Sequence, residues 1–243
     1  MVGSTSARKW TRVASISRVL AATGEITGRT RKRADDTGLL MYELFDNGFD
    51  SDRGRAALRR INRIHQSWSI GNDEHRYVLG TFLIPPIRWI DRYGWRRTCC
   101  HERQAGYTFY RELARRMRIT DVPASLADFV VWFDAYEEAT FGYDKANAQL
   151  LDASRSLLAP RVHPWLRPML MAASDALLDP PLRRALGVAT PPWPVRLGVH
   201  AALRLRARRQ RLAAPAAAPV FMPGQPVTSY PDGYTIDDLG PNA

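Results

Sequence analysis

The sequence predicts an all-α fold, a single multi-helix bundle. Apolar residues recur at spacings of three and four in at least five segments of the 243-residue chain, with capping residues and glycine stops between them. Strands are hard to place anywhere. The length also suffices for a sizeable core without disulfides or metals.

The elements follow in order. Residues 1–34 carry eight basic residues and one acid, Glu25. Val13, Ile16, Val19 and Leu20 predict a short helix there, followed by a basic linker from Arg29 to Arg33. Asp35 or Asp36 caps a helix running to about Asn47, with Leu39, Leu40, Met41, Leu44 and Phe45 as its apolar residues. Ser51 opens the next, whose stripe is Ala57, Leu58, Ile61, Ile64 and Trp68, with Arg53, Arg59 and Arg63 turned away. Gly71-Asn72 breaks it, and Asn72 caps a helix over 73–93 with Asp73 and Glu74 in its first turn. Pro85-Pro86 kinks or breaks that helix, because two backbone donors are lost. Thr98 to Met117 is helical through Phe109, Tyr110 and Leu113. Ser125 and Asp128 form a capping box ahead of Leu126, Phe129, Val130, Phe133, Tyr136 and Phe141. Further helices fall at 145–158, 165–178, 180–186 and 194–212. Six prolines make 213–243 read as an extended tail without a core of its own. The expected organisation is a basic segment 1–34, a helical domain 35–212 and a proline-rich tail 213–243.

Formal net charge is +11, and of 35 basic residues only Lys9, Lys32 and Lys145 are lysines. Between Asp179 and Asp232 there is no acid, and Arg196, Arg204, Arg206, Arg208, Arg209 and Arg211 share one helix with an apolar side of Val195, Val199, Ala202 and Leu203. Two readings stand for it: a helix lying on an anionic membrane, or a bundle helix with a basic outer face. Nucleic acid ranks third, for there is no helix-turn-helix pattern and no aromatic interleaving. No run of about 18 apolar residues predicts a transmembrane helix, and no apolar stretch follows the basic N-terminus to make a signal peptide. Cys99 and Cys100 are adjacent and point apart on a helix, so they read as reduced thiols of a cytoplasmic-type compartment, with peripheral membrane association open.

Two residues stand out chemically. His65 lies four residues after Ile61 and three before Trp68, on the apolar face of its helix. It is either a core histidine bonded to a carbonyl or carboxylate, or a metal or haem ligand or acid/base in an internal pocket. Glu137 lies four residues after Phe133 and points inward, where burial predicts pairing with an arginine or a raised pKa. We take the arginine pair as the expectation. His75, His101 and Glu102 sit near helix starts, and a pocket ringed by His65, His75, His101 and Glu137 is compatible with a bundle. No HxxxH or ExxH pair, phosphate loop, GxGxxG, GxSxG or nucleophile triad occurs.

The segments RADDTGLLMYELFDNGFDSDRGRAALRRINRIHQSWSI, YVLGTFLIPPIRWIDRYGWR and ERQAGYTFYRELARRMRITDVPASLADFVVWFDAYEE, in this order and spacing, resemble bacterial members of the MpaB-type oxygenase family, which includes the latex-clearing rubber oxygenases. The ending LRRALGVATPPWP…RLRARRQRL…YPDGYTIDDLGP is similar to its actinobacterial members. The resemblance covers roughly residues 34–241. It implies an all-α fold, haem b as cofactor and an oxygenase acting on an apolar small molecule; the alternative is a catalytically inactive helical binding or peripheral membrane protein of the same fold. The family's arginine five residues before a histidine is matched by Arg60 and His65, and a basic residue of the rubber oxygenases by Arg63. The family's proximal haem histidine aligns with Leu79–Thr81, where this chain has none. His75, about one turn away, or His65 itself is then the candidate iron ligand. Relatives carry more helices upstream of RADDT, so the core is expected to be incomplete or completed by a partner. The expected site lies between the 51–68 and 73–93 helices, with Arg60, Arg63, His65 and His75 around it.

Overall fold

The computed structural model describes residues 29–156, 163–214 and 227–241. The helix expected near Val13–Leu20 lies outside the described residues. The described residues form two compact units, 29–70 with 227–241, and 71–156 with 163–214. Among the described residues the regular structure is helical, and the sole β feature is a bridge between Val227 and Tyr230. The all-α class therefore holds.

In the first unit, α1 (Thr30–Asn47) and α2 (Asp52–Gln66) form a hairpin. Ser51 opens α2 as expected, its Oγ accepting from Gly54 N at 2.9 Å. Leu39, Leu40 and Leu44 of α1 and Ala57, Leu58, Ile61 and Ile64 of α2 are buried. Trp68 lies beyond the end of α2 and is exposed, so it is not part of the stripe. The basic run Arg31–Arg33 is helix rather than linker, and Asp35 and Asp36 lie inside α1 and cap nothing.

Those two acids serve the C-terminal segment instead. Ser229 donates from its backbone N and its Oγ to Asp35, and Tyr230 Oη donates to Asp36. Tyr234 Oη donates to Glu43 at 2.8 Å. A 3-10 turn, Ile236–Asp238, packs on α2, and Leu239 is fully buried. Residues 227–241 are thus not an extended tail: they share the hairpin's core. Proline content misleads here because the anchors are single side chains whose partners lie 194 residues earlier.

The second unit holds α3 (Asn72–Thr81), α4 (Ile84–Tyr93), α5 (Cys100–Arg116), α6 (Leu126–Thr140), α7 (Lys145–Ser156), α8 (Arg167–Leu177), α9 (Pro180–Leu186) and α10 (Trp193–Leu212). The chain breaks at Phe82–Leu83, before the prolines. Pro85 and Pro86 then occupy the first turn of α4, where the missing N–H groups leave no bond unmade. Asn72 does not cap α3; Gly71 does, and the Asn72 amide bridges to the Thr120 backbone in both directions. Ser125 caps α6 as its pattern predicts, accepting from Asp128 N. α3 packs against α4, α5 and α6 around Leu79, Leu83, Ile84, Tyr107, Tyr110, Phe129 and Phe133, all buried. α8 packs on α10 and α9 on α7.

Candidate functional site

Each predicted site residue is placed within its own unit. In the first, Arg60 is half-buried and its Nε donates to the Leu239 carbonyl at 2.5 Å. The guanidinium is therefore committed to the C-terminal segment, a partner the sequence reading did not anticipate. Arg63 is exposed on the outer side of α2. His65 is half-buried, and its Nδ1 lies 2.8 Å from the Ile61 carbonyl. A carbonyl oxygen only accepts, so Nδ1 carries the hydrogen and Nε2 is the basic nitrogen of the neutral ring. This is the backbone-bonded histidine that burial on an apolar face leads one to expect, in the tautomer that histidine ligands to metals adopt.

In the second unit, His75 is half-buried near the start of α3. Burial pushes its pKa down, against a backbone hydrogen bond to Gly71, so the ring is neutral at neutral pH. His101 is exposed. Cys99 and Cys100 are exposed free thiols. Among the described residues no three His, Cys, Asp or Glu side chains converge as a metal site.

Glu137 corrects a second expectation. Among the described residues it has no arginine partner; Tyr77 Oη of α3 donates to its Oε1 at 3.0 Å. Arg88, which lines the same cleft, instead pairs with Asp134 at 2.7 Å. Burial pushes the Glu137 pKa up, the Tyr77 bond opposes this, and Asp134 adds to it. Burial and the neighbouring Glu137 also raise the Tyr77 pKa, so the phenol stays protonated. The Tyr77 ring stacks on Phe133 and Tyr136, with centroids 5.0 Å away in each case. Glu137 lines a cleft of about 510 Å³ whose wall also includes Arg88, Phe141, Pro180 and Arg184. Tyr77 lines a smaller hollow of about 150 Å³ that shares Phe141. The pair thus stands between two depressions, a carboxyl that keeps its proton to higher pH beside a phenol that never loses it. Sequence periodicity placed Glu137 inward but offered no means of pairing it with a tyrosine 60 residues away.

The haem implied by the resemblance can be tested against the residues present. At Leu79–Thr81 of α3 it does not fit. Leu79 and Gly80 are buried, and a Cβ added at Gly80 falls 2.6 Å from Phe133 Cδ2 and 3.3 Å from Phe129 Cζ. The space that a histidine side chain at this position needs is filled by two phenylalanines. On α2 the donor chemistry is compatible, because His65 carries its basic lone pair on Nε2.

Comparison with known proteins places the chain. The family described as "ER-bound oxygenase mpaB/B'/Rubber oxygenase, catalytic domain" matches residues 12–211. The chain belongs to that family. It is 24% identical over 192 residues to "ER-bound oxygenase mpaB'" of Penicillium brevicompactum, covering 72% of this chain and 45% of the relative. It is 25% identical over 164 residues to "ER-bound oxygenase mpaB" of the same organism, covering 60% and 42%. The chain thus spans less than half the length of either relative. No solved structure matches it. Among the described residues no helix is long and apolar enough to cross a membrane.

Proposed function

We propose that this chain is an oxidoreductase of the oxygenase type acting on an apolar small molecule. The observation that carries the reading is the family match over residues 12–211. Haem b is the cofactor in this proposal, and α2 supplies its ligand, since α3 is closed at Gly80 by Phe133. His65 offers Nε2 to iron, and the exposed Arg63 is the partner for a propionate, a role Arg60 does not fill while it is bonded to Leu239. When bound, haem would supply the dioxygen chemistry; the chain's part is to hold and orient it.

The test is the absorption spectrum of protein purified from haem-supplemented cells, for wild type, His65→Ala and His75→Ala. The expected result is a Soret band in wild type that is lost or shifted in His65→Ala and kept in His75→Ala. Loss in His75→Ala alone moves the ligand to α3. A second reading, a haem-free binding protein of the same fold, is favoured by the filled space at Gly80. A wild-type protein without a Soret band supports it and overturns the first.

A further inference from the structure

α10 presents two different apolar faces. The first, Val195, Val199 and Leu203 with Ala207, is partly or fully buried, so the apolar side evident in the sequence packs inward except at Ala202, which is exposed. The helix is held there, and Tyr93 Oη and His200 Nδ1 share a hydrogen bond at 2.8 Å that ties α10 to α4. The second face points the other way. Leu197, Leu205 and Leu212 are 60%, 49% and 88% exposed, and Ala201 is exposed between them. At about 100° per residue these four positions fall within roughly 80° of one another, opposite Leu203 and Ala207. Arg204 and Arg211 border this stripe on one side and Arg209 on the other, while Arg208 lies within it between Leu197 and Leu205, all exposed. No acid occurs in the helix.

We infer that α10 docks the protein in the plane of an anionic lipid bilayer, leucine stripe inward. This inference is independent of the oxygenase reading. Leucines exposed to water on an isolated helix face gain nothing from a polyanion, which would be met by arginine alone. The boundary between phosphate headgroups and acyl chains satisfies both features at once. The leucines enter the hydrocarbon, and the long arginine side chains reach back to the phosphates on either side. The absence of acid leaves no like-charge repulsion, and the basic surplus is drawn by the surface potential of anionic lipid.

The experiment is vesicle flotation of the full chain with phosphatidylcholine vesicles, with and without phosphatidylglycerol, at low and high salt. Wild type is expected to float only with phosphatidylglycerol and to be released by salt, because the attraction is screened. Leu197→Ser, Leu205→Ser and Leu212→Ser combined should weaken binding at least about tenfold. Arg204→Gln, Arg208→Gln and Arg209→Gln combined should weaken it about a hundredfold. All six side chains are exposed, so an unchanged melting temperature shows that each variant is folded. No flotation of wild type at low salt overturns the inference. So does a serine variant that binds vesicles like wild type, all the more if both bind heparin or duplex DNA equally; the arginines would then be a general polyanion site.

Discussion

Tyr77 Oη donates to Glu137 Oε1 at 3.0 Å, so the inward acid of α6 is held by a hydroxyl of α3 and not by an arginine. The difference decides how stability depends on pH. The Glu137 pKa is raised, chiefly by burial. A carboxyl whose folded pKa lies above its unfolded value contributes fully below the unfolded pKa and loses that contribution as pH rises through the folded one. Glu137→Gln cannot ionise. The variant is therefore expected to gain on wild type in melting temperature as pH rises from about 4 to about 8. A gap that stays constant across this range contradicts the assignment. Tyr77→Phe should destabilise by about 1 kcal/mol, the ordinary worth of one hydrogen bond.

Glu43 behaves in the opposite sense. It is fully buried in the α1–α2 hairpin and accepts from Arg53 Nη2 at 2.5 Å and Nε at 2.9 Å, from Asn47 and from Tyr234. Hydrogen bonds from Arg53 hold its pKa below the usual value against the effect of burial, with Tyr234 assisting. Its contribution is present above the unfolded pKa and is lost as pH falls through the folded one. Arg53→Met leaves this carboxylate buried without its main counter-charge. The expected loss is about 3 kcal/mol at neutral pH, at the low end for a buried pair because the guanidinium is half solvated. Denaturant unfolding at neutral and at acid pH checks it, and the loss should shrink in acid.

How far these features were legible differs with their range in the sequence. Helix positions from α1 to α10 follow from apolar spacing and from caps such as Ser51 and Ser125, because both signals lie within a few residues of what they specify. Boundaries slip where a capping side chain has a better use elsewhere. Asp35 and Asp36 sit inside α1 because Ser229 and Tyr230 claim them, and Asn72 is claimed by Thr120. Glu43 itself passed unnoticed, although it stands four residues after Leu39 on the buried stripe, the signal that singled out Glu137 on α6. Of the site, the inward placement of His65 and its carbonyl partner could be read from one helix. The Arg60–Leu239 bond could not, since it joins positions 179 residues apart.

The C-terminal segment should behave as part of the first unit's core. Leu239 is fully buried, and Leu239→Ala is expected to cost about 2–5 kcal/mol. Gly240 has φ +101°, and an added Cβ would stand 2.5 Å from Ile64 Cδ1. Gly240→Ala meets both backbone strain and a clash and should exceed the roughly 1 kcal/mol of an ordinary glycine substitution. Thermal unfolding measures both. Wild-type stability in the two variants would return 227–241 to the status of an appended tail.

The last expectation concerns Gly80, within the Leu79–Thr81 stretch that the resemblance aligns with the family's proximal histidine. Phe129 and Phe133 are each 1% exposed and lie directly over it, so α3 and α6 approach as closely as the missing Cβ allows. Gly80→Ala places a methyl 2.6 Å from the Phe133 ring, well inside van der Waals contact. Overpacking of this kind costs about 1–3 kcal/mol, more than offsetting the better helix propensity of alanine. Combining it with Phe133→Leu should return part of that loss, because removing ring atoms makes room for the methyl, and the two effects should be non-additive in a double-mutant cycle. Gly80→His goes further in the same direction. It is expected to lower the melting temperature more than Gly80→Ala without creating a Soret band, for the imidazole would enter a space already held by phenylalanine. A Gly80→His protein that folds as well as wild type and binds haem would show that the interface opens, and α3 would regain the ligand position that Phe133 closes.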